Sequence, residues 1–155
     1  MAIVTDPNGN QVLEFIVSKT PVIPPNDKDI PLTFCLIVVV YQDSVLLVYN
    51  PPRKTWEIPG GGIINGETPE SAVLRELKEE TGQVLKSPTY KGMLKWKFQD
   101  SGKVEFAALY YGELTELAPF VFNEEGGGIL LWDGTTPVIP INPINHKLIE
   151  LGRML

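Results

Sequence analysis

The stretch that decides the fold is residues 61–82, which read GGIINGETPESAVLRELKEETG. Within it Thr68 is a suitable helix cap, Pro69 suits the first helical position, and Gly82 is a suitable C-terminal stop. The apolar residues between them recur at helical spacing and are Ala72, Val73, Leu74 and Leu77. The pattern predicts a helix over residues 69–81.

Three glutamates of this helix crowd onto one narrow arc. Glu76, Glu79 and Glu80 stand at i, i+3 and i+4, where like charges repel by about 0.2–0.5 kcal/mol per pair. The last two also lie in the final turn, where the helix dipole disfavours anions by about 0.3–1 kcal/mol each. A solvated acidic face is the alternative, but it does not explain the fixed spacing of specified residues from Gly61 to Gly82. The arrangement indicates that the carboxylates gather hard cations.

The glycines upstream form the second part of the pattern. Residues 56–58 read as a short strand, and Pro59-Gly60-Gly61-Gly62 follows them. A backbone without side chains allows positive φ and a close approach to a ligand, although an ordinary tight turn is the alternative. Because these glycines directly precede the acidic helix, we expect their carbonyls to face the same cations. Oxygen ligands with no Cys or His pair nearby favour Mg²⁺ or Mn²⁺ over zinc, and Mg²⁺ leaves room for substrate phosphates.

Together these residues resemble the signature of the Nudix hydrolases, Mg²⁺-dependent enzymes that cleave nucleoside diphosphates linked to a further group. The match covers residues 61–82 and extends upstream to Trp56. One position departs from the family, because Gln83 stands where an aliphatic residue usually follows the last glycine. The resemblance also implies that Glu67 braces the loop or lies behind the metal ligands.

The resemblance assigns roles to the acidic helix. It implies that Glu79 and Glu80 are the principal metal ligands, and that Glu76 is a further ligand or the base that activates water. The Gly60 carbonyl is implied as an additional ligand. Arg75 is implied to orient the glutamates by ion pairing.

Family members often use another glutamate from a loop beyond the signature. The preferred candidate here is Glu125, with Glu124 close behind, because both lie beside the glycines of the segment 122–128. A polar surface loop is the alternative. Glu57 and Glu105, on predicted strands, are weaker candidates.

Size and composition set limits on the class of protein. At 155 residues with a net charge of −6, the chain suits one soluble domain over residues 1–155, in which residues 1–30 are an N-terminal extension that adds an edge strand or reaches a partner subunit. The negative charge argues against nonspecific nucleic-acid binding, which needs a basic patch. With a single cysteine, Cys35, no internal disulfide forms. The apolar run over 32–41 is too short to span a bilayer and no leader is evident, so we expect a cytoplasmic monomer or homodimer that binds a small nucleotide and no membrane.

The rest of the chain reads as strands around the acidic helix and one closing helix. Residues 32–41 are dense in β-branched side chains, which is typical of a strand buried on both faces. Further predicted strands cover 11–19, 45–49, 90–98, 103–113 and 128–132, and a helix capped by Asn142 is predicted over 143–155. These elements give an α+β (mixed α/β) fold. The resemblance implies a Nudix-type α/β/α sandwich with a mixed central sheet, the signature loop and helix, and a C-terminal helix.

Four other polar residues are candidates for substrate contacts or have simpler roles. Arg53, just before Trp56, is placed to reach phosphates, and an exposed loop cation is the alternative. Lys95 lies on a predicted strand where cations and aromatic residues alternate, which a half-buried strand also produces. Asn142 faintly resembles the asparagine that MutT-type members place against a purine, but Asn before Pro143 is also a good helix cap. His146, on the last predicted helix, is interpreted as a surface or packing residue.

The hypothesis from sequence is a metal-dependent pyrophosphohydrolase. Within the family, a MutT-type enzyme that converts a nucleoside triphosphate, oxidised or not, to a monophosphate and pyrophosphate is favoured. The alternatives are an ADP-ribose or dinucleoside polyphosphate hydrolase and a Nudix-fold module that binds a nucleotide without cleaving it.

Overall fold

The strand β3, Leu32–Tyr41, lies at the centre of a computed structural model that describes residues 1–120, 128–137 and 140–154. The remaining strands of the described residues are β1 (Val4–Thr5), β2 (Gln11–Ile16), β4 (Ser44–Asn50), β5 (Thr55–Glu57), β6 (Gly60–Gly62), β7 (Thr89–Lys97), β8 (Val104–Glu113) and β9 (Ile129–Trp132). The helices are α1 (Pro69–Thr81) and α2 (Pro143–Arg153), with a short 3₁₀ helix at Pro25–Asp27.

Alternate residues of β3 face the two helices, so the sheet lies between two apolar layers. Cys35, Ile37 and Val39 pack in one cluster with the buried face of α1. Val38 and Val40 pack in the other cluster with Ile144, Leu148 and Ile149 of α2. This confirms the predicted α/β/α sandwich and explains why β3 is apolar on both faces.

The sheet is mixed because β3 pairs in parallel with β8, while the other strand pairs are antiparallel. The order on that side of β3 runs β8, β7, β2 and β1, so the N-terminal strands form one edge. The β7–β8 hairpin that the sequence predicts is present, with Phe98 and Lys103 just outside its strands.

On the other side of β3 the sheet splits. The C-terminal end of β3 pairs with β4 at Val40 and Tyr41, whereas its N-terminal half pairs with β6. Val48 of β4 pairs with β9 on one edge and with β5 on the other. The segment β5–β6 therefore lies in the opening between β3 and β4, which places the signature glycines next to the central strand.

The strand β6 is the main element that the sequence did not predict, because three glycines have no strand propensity and read as a turn. Their pairing is imposed by β3, whose Ile37 N–H donates to the Pro59 carbonyl at 3.0 Å and whose Thr33 carbonyl accepts from Ile63 N–H at 2.9 Å. The helix α1 covers the predicted residues. The helix α2 ends at Arg153, two residues before the predicted end. Among the described residues, neither helix is long and apolar enough to cross a membrane.

Candidate active site

The helix α1 is fixed at both ends, and this fixes the direction in which its glutamates project. The Thr68 hydroxyl accepts a hydrogen bond from Ser71 N–H at 3.1 Å. At the other end Gly82 adopts φ of +76° and donates its N–H to the Lys78 carbonyl at 2.8 Å, which is the left-handed cap that glycine favours. The residues of α1 that are buried against the sheet are Ala72, Val73, Leu77 and Thr81.

The backbone of β6 meets two of the three glutamates. Glu80 Oε1 accepts the N–H of Gly60 at 2.9 Å. The Glu76 carboxylate lies against Gly61 so closely that a Cβ there would be 2.5 Å from its Cδ atom. Hydrogen bonds alternate along the antiparallel pair of β6 and β3, and Pro59 accepts from Ile37 of β3. At the next residue, Gly60, the N–H and the carbonyl therefore point away from β3, on the side where Glu80 lies.

Arg75 connects the carboxylates of Glu67, Glu76 and Glu79 to the backbone of β6. Its guanidinium holds Glu67 in a two-point pair, Nε to Oε2 at 2.7 Å and Nη2 to Oε1 at 2.9 Å. Nη1 donates to Glu76 at 3.0 Å and to Glu79 at 3.2 Å, and Nη2 donates to the Gly62 carbonyl at 3.0 Å. Hydrogen bonding to Glu67 raises the pKa of Arg75, and hydrogen bonding to Arg75 lowers the pKa of Glu67. One planar cation thus contacts three carboxylates and a carbonyl of β6.

A cleft of about 460 Å³ opens beside this group and is lined in part by Glu80 and Glu57. The Glu57 carboxylate accepts hydrogen bonds from Asn50 at 3.1 Å, Thr55 at 2.9 Å and Arg53 at 3.3 Å. Its side chain is only 13% exposed, whereas that of Arg53 is 67% exposed. The sequence ranked Glu57 as a weak candidate, and the structure places it in the same cleft as a signature glutamate.

Two predicted substrate contacts have protein partners away from this cleft. Lys95 bonds to Asp27 at 3.0 Å and pairs with Glu14 at 3.6 Å, and the hydrogen bond to Asp27 raises the pKa of Lys95. Asn142 caps α2 by accepting from Ile144 N–H at 2.8 Å, and its Nδ2 donates to Asp6 at 3.3 Å. The cap predicted for Asn142 is therefore present, and neither residue lines the cleft among the described residues.

Three further residues considered from the sequence are His146 on α2 and the loop glutamates Glu124 and Glu125. His146 is exposed on α2 with its ring 5.8 Å from the ring of Trp132, in keeping with the interpretation as a surface or packing residue. The loop candidates Glu124 and Glu125 lie outside the described residues.

Two buried amides, to which the sequence assigned no supporting role, hold the segments next to the site. Asn145 of α2 accepts the N–H of Ile58 at 2.9 Å, which holds the segment that leads into the glycines. Gln83, directly after α1, is fully buried and bonds to Ala118. Their partners are 87 and 35 residues distant, so no local pattern points to either contact.

The donor set fits Mg²⁺ or Mn²⁺. Glu76, Glu79, Glu80 and the Gly60 carbonyl supply oxygen only, and burial raises the pKa of Cys35 to about 12, so no thiolate competes. Within residues 1–120, 128–137 and 140–154, no three His, Cys, Asp or Glu side chains are grouped closely enough to hold a metal ion. The structure therefore does not bring Glu76, Glu79 and Glu80 together as a three-carboxylate site, and their role as metal ligands stays a prediction. Mg²⁺ itself takes only one or two protein carboxylates beside several waters and substrate phosphates.

Comparisons with known proteins agree with this geometry. A family model described as NUDIX domain matches residues 31–132. The NAD-capped RNA hydrolase NudC of Vibrio vulnificus is 34% identical over 119 residues, which cover 75% of this chain and 45% of that protein. The Nudix hydrolase YvcI of Bacillus subtilis is 36% identical over 67 residues, which cover 43% of this chain and 42% of that protein. This chain thus spans less than half the length of these two relatives.

Solved structures share the fold over a larger part of the chain. The pyrophosphohydrolase BsRppH of Bacillus subtilis is 25% identical with a TM-score of 0.72, and the alignment covers 94% of this chain and 89% of that chain. The NUDIX domain of Shewanella oneidensis NrtR, solved with ADP ribose, is 22% identical with a TM-score of 0.68 over 84% of this chain and 92% of that chain. The second likeness shows the fold alone. Since the family model spans more than half of the sequence and the fold agrees, the chain belongs to the NUDIX domain family, the family of the Nudix hydrolases.

Proposed function

We propose that this chain catalyses the Mg²⁺-dependent hydrolysis of a nucleoside diphosphate linked to a further group. The observation that supports this most directly is the contact of β6 with α1. Glu80 accepts the Gly60 N–H at 2.9 Å, and Glu76 lies against Gly61. The contact brings the Glu76 and Glu80 carboxylates to the backbone of β6, and Glu80 also lines the cleft, which supports a site for a hard cation and a phosphate.

The glutamates of α1, the Gly60 carbonyl and Arg75 have separate roles in this proposal. Glu79, Glu80 and the Gly60 carbonyl would hold the metal, and Glu76 would be either a further ligand or the base that activates water. Bound there, Mg²⁺ would neutralise charge on the phosphate oxygens as a P–O bond breaks. Arg75 would keep Glu76 and Glu79 oriented through its hydrogen bonds of 3.0 and 3.2 Å.

A carboxylate takes the proton from the attacking water. Glu76 is the first candidate among the described residues, because Arg75 and the Gly61 backbone fix its position. Glu125 of the loop is the second candidate from the sequence. In either case the oxygen of the water becomes part of one phosphate product, and the proton passes to the carboxylate.

A nucleoside triphosphate, oxidised or not, is the first candidate substrate, with a monophosphate and pyrophosphate as products. The turn at Pro51 and Pro52 lines the cleft, and the exposed cations Arg53 and Lys54 continue that turn. They would meet the terminal phosphates of a triphosphate that reaches past Glu80. The second candidate is a dinucleotide joined through a diphosphate, because the NAD-capped RNA hydrolase NudC of Vibrio vulnificus matches 75% of this chain.

The test is a hydrolysis screen of the purified protein with Mg²⁺. The substrates are nucleoside triphosphates, their oxidised forms, ADP-ribose, dinucleoside polyphosphates and NAD. Products formed in ¹⁸O-water show which phosphorus is attacked, and a monophosphate with pyrophosphate identifies the first candidate. Glu79→Gln and Glu80→Gln should lower kcat by orders of magnitude with the fold intact.

Glu70→Gln is the matched control, since Glu70 is exposed on the first turn of the same helix. We expect it to keep wild-type turnover. Nucleotide binding without hydrolysis by the wild-type chain would refute the proposed activity and favour a binding module.

A further inference from the structure

The side chain of Gln83 is fully buried directly after the end of α1. Its Nε2 donates to the Ala118 carbonyl at 2.8 Å and to the Thr81 carbonyl at 3.2 Å. Its Oε1 accepts the Ala118 N–H at 2.8 Å. The amide thus pairs with both backbone groups of Ala118, as a residue of a neighbouring strand would.

This pairing joins the last turn of α1 to the segment that follows β8. Leu85 packs so closely on the end of β8 that a Cβ at Gly112 would overlap its side chain. Two residues beyond, Leu114 donates its N–H to the Val40 carbonyl at 2.9 Å. The segment from Leu114 to Ala118 is therefore held to the central strand at one end and to the end of α1 at the other.

A role in packing alone does not account for an amide at this position. An aliphatic side chain would fill this buried position without the cost of burying polar atoms. In Gln83 both amide protons and the oxygen are hydrogen-bonded, so the buried group is satisfied. Hydrogen bonds fix a direction as well as a distance, which apolar contacts do not.

We infer that Gln83 is a positioning residue for Glu79 and Glu80. These glutamates stand four and three residues before it, on the turn whose Thr81 carbonyl accepts from its amide. By locking that turn to Ala118, Gln83 fixes where the two carboxylates lie relative to the Gly60 backbone. The inference rests on the proposed function, which makes those carboxylates metal ligands.

The experiment compares Gln83→Met and Gln83→Leu with the wild-type chain. Methionine keeps the length of the side chain without its hydrogen bonds, and leucine is a shorter aliphatic alternative; the Tm of each variant shows whether it is folded. Val84→Ala is the matched control, because Val84 is the next residue and is 66% exposed. The measurements are kcat, KM for the nucleotide, the Mg²⁺ concentration for half-maximal rate, and Mn²⁺ binding by electron paramagnetic resonance without substrate.

We expect both Gln83 variants to lose about tenfold in kcat and in Mn²⁺ affinity, with KM for the nucleotide within about twofold, because a displacement below 1 Å at a metal ligand acts on the chemical step. Val84→Ala should match the wild type. Variants that lose only thermal stability, with kcat and Mn²⁺ affinity unchanged, would overturn the inference.

The same experiment separates this inference from the proposed function. If the wild-type chain hydrolyses none of the nucleotides, the proposed function fails, and Mn²⁺ affinity then decides the role of Gln83. Equal Mn²⁺ affinity in the wild type and both variants, or no binding in any of them, would refute the positioning role.

Discussion

Replacing Gly61 by alanine should displace the Glu76 carboxylate and leave the fold nearly unchanged. A Cβ at Gly61 would lie 2.5 Å from both Cδ and Oε1 of Glu76, and 2.8 Å from Oε2. The backbone of Gly61 has no positive φ, so alanine adds no conformational strain there. The overlap is therefore relieved by moving the Glu76 side chain.

The size of the effect follows from that overlap. Ordinary contacts begin near 3.4 Å, so the carboxylate must shift by about 1 Å, which costs roughly 10²-fold in rate, or about 2.7 kcal/mol of transition-state stabilisation. Stability should change far less. The shift weakens the hydrogen bond from Arg75 to Glu76, a contact worth about 1 kcal/mol at a partly exposed site, which corresponds to roughly 2–4 °C in Tm.

The assay is kcat at saturating nucleotide and Mg²⁺, together with Tm, for the wild type, Gly61→Ala and Gly62→Ala. Gly62 is the matched control, because a Cβ there would have no atom within 4 Å. We expect Gly62→Ala to keep the wild-type rate. A Gly61→Ala enzyme with wild-type kcat, or an equal loss in both variants, would refute the role given to the position of Glu76.

The contacts of Asp6, Cys35 and Arg75 give three further expected outcomes. Burial raises the pKa of Asp6, but hydrogen bonds from Asn10, Asn142 and Asn8 outweigh burial and hold that pKa below its ordinary value. The ionised Asp6 therefore stabilises the fold fully above about pH 5, and this contribution is lost as the pH falls through the lowered pKa. Asp6→Asn should accordingly lower Tm at about pH 7 and differ less from the wild type at about pH 3. An equal difference in Tm at both pH values would contradict this. Because burial raises the pKa of Cys35 to about 12, iodoacetamide at pH 8 should label the unfolded chain in urea and leave the native chain unlabelled over the same time, and rapid native labelling would show the thiol to be accessible. Arg75→Lys should lower kcat about tenfold, because an ammonium cannot reproduce the planar contacts to Glu67, Glu76 and Glu79; kinetics of the folded variant check this, and a wild-type rate would exclude an orienting role.

Elements with strong local signals could be predicted to the residue. The cap Thr68, the first-turn Pro69 and the stop Gly82 set the bounds of α1, and the structure has the same bounds. The strand β3 was predicted over its whole length, because a run of β-branched residues of that density packs on both faces. In these segments the residues that decide the structure are neighbours in sequence.

Contacts between distant residues could not be predicted in the same way. Helical spacing placed Glu80 on the acidic edge, but its bond to Gly60 spans 20 residues and depends on the split of the sheet. Lys95 was expected near the substrate, yet its partner Asp27 is 68 residues away. Asp27 lies in a proline-rich connector, for which the sequence predicts neither a strand nor a helix. Asn142 had a local signal for each of two roles, and the cap needs only the next two residues to form.

The three glycines of β6 show how the fold and the chemistry divide among adjacent positions. A Cβ at Gly60 would overlap the backbone carbonyl oxygen of Cys35, so glycine there is needed for β6 to pair with β3. The nearest atoms to a Cβ at Gly61 would be those of the Glu76 carboxylate, a side-chain end rather than backbone, so glycine there serves the position of a carboxylate. At Gly62 the space is open, and the contribution is a carbonyl that accepts from Arg75 at 3.0 Å. The strand β6, which reads as a turn in the sequence, thus links the central strand β3 to the side chains of Glu76, Glu80 and Arg75.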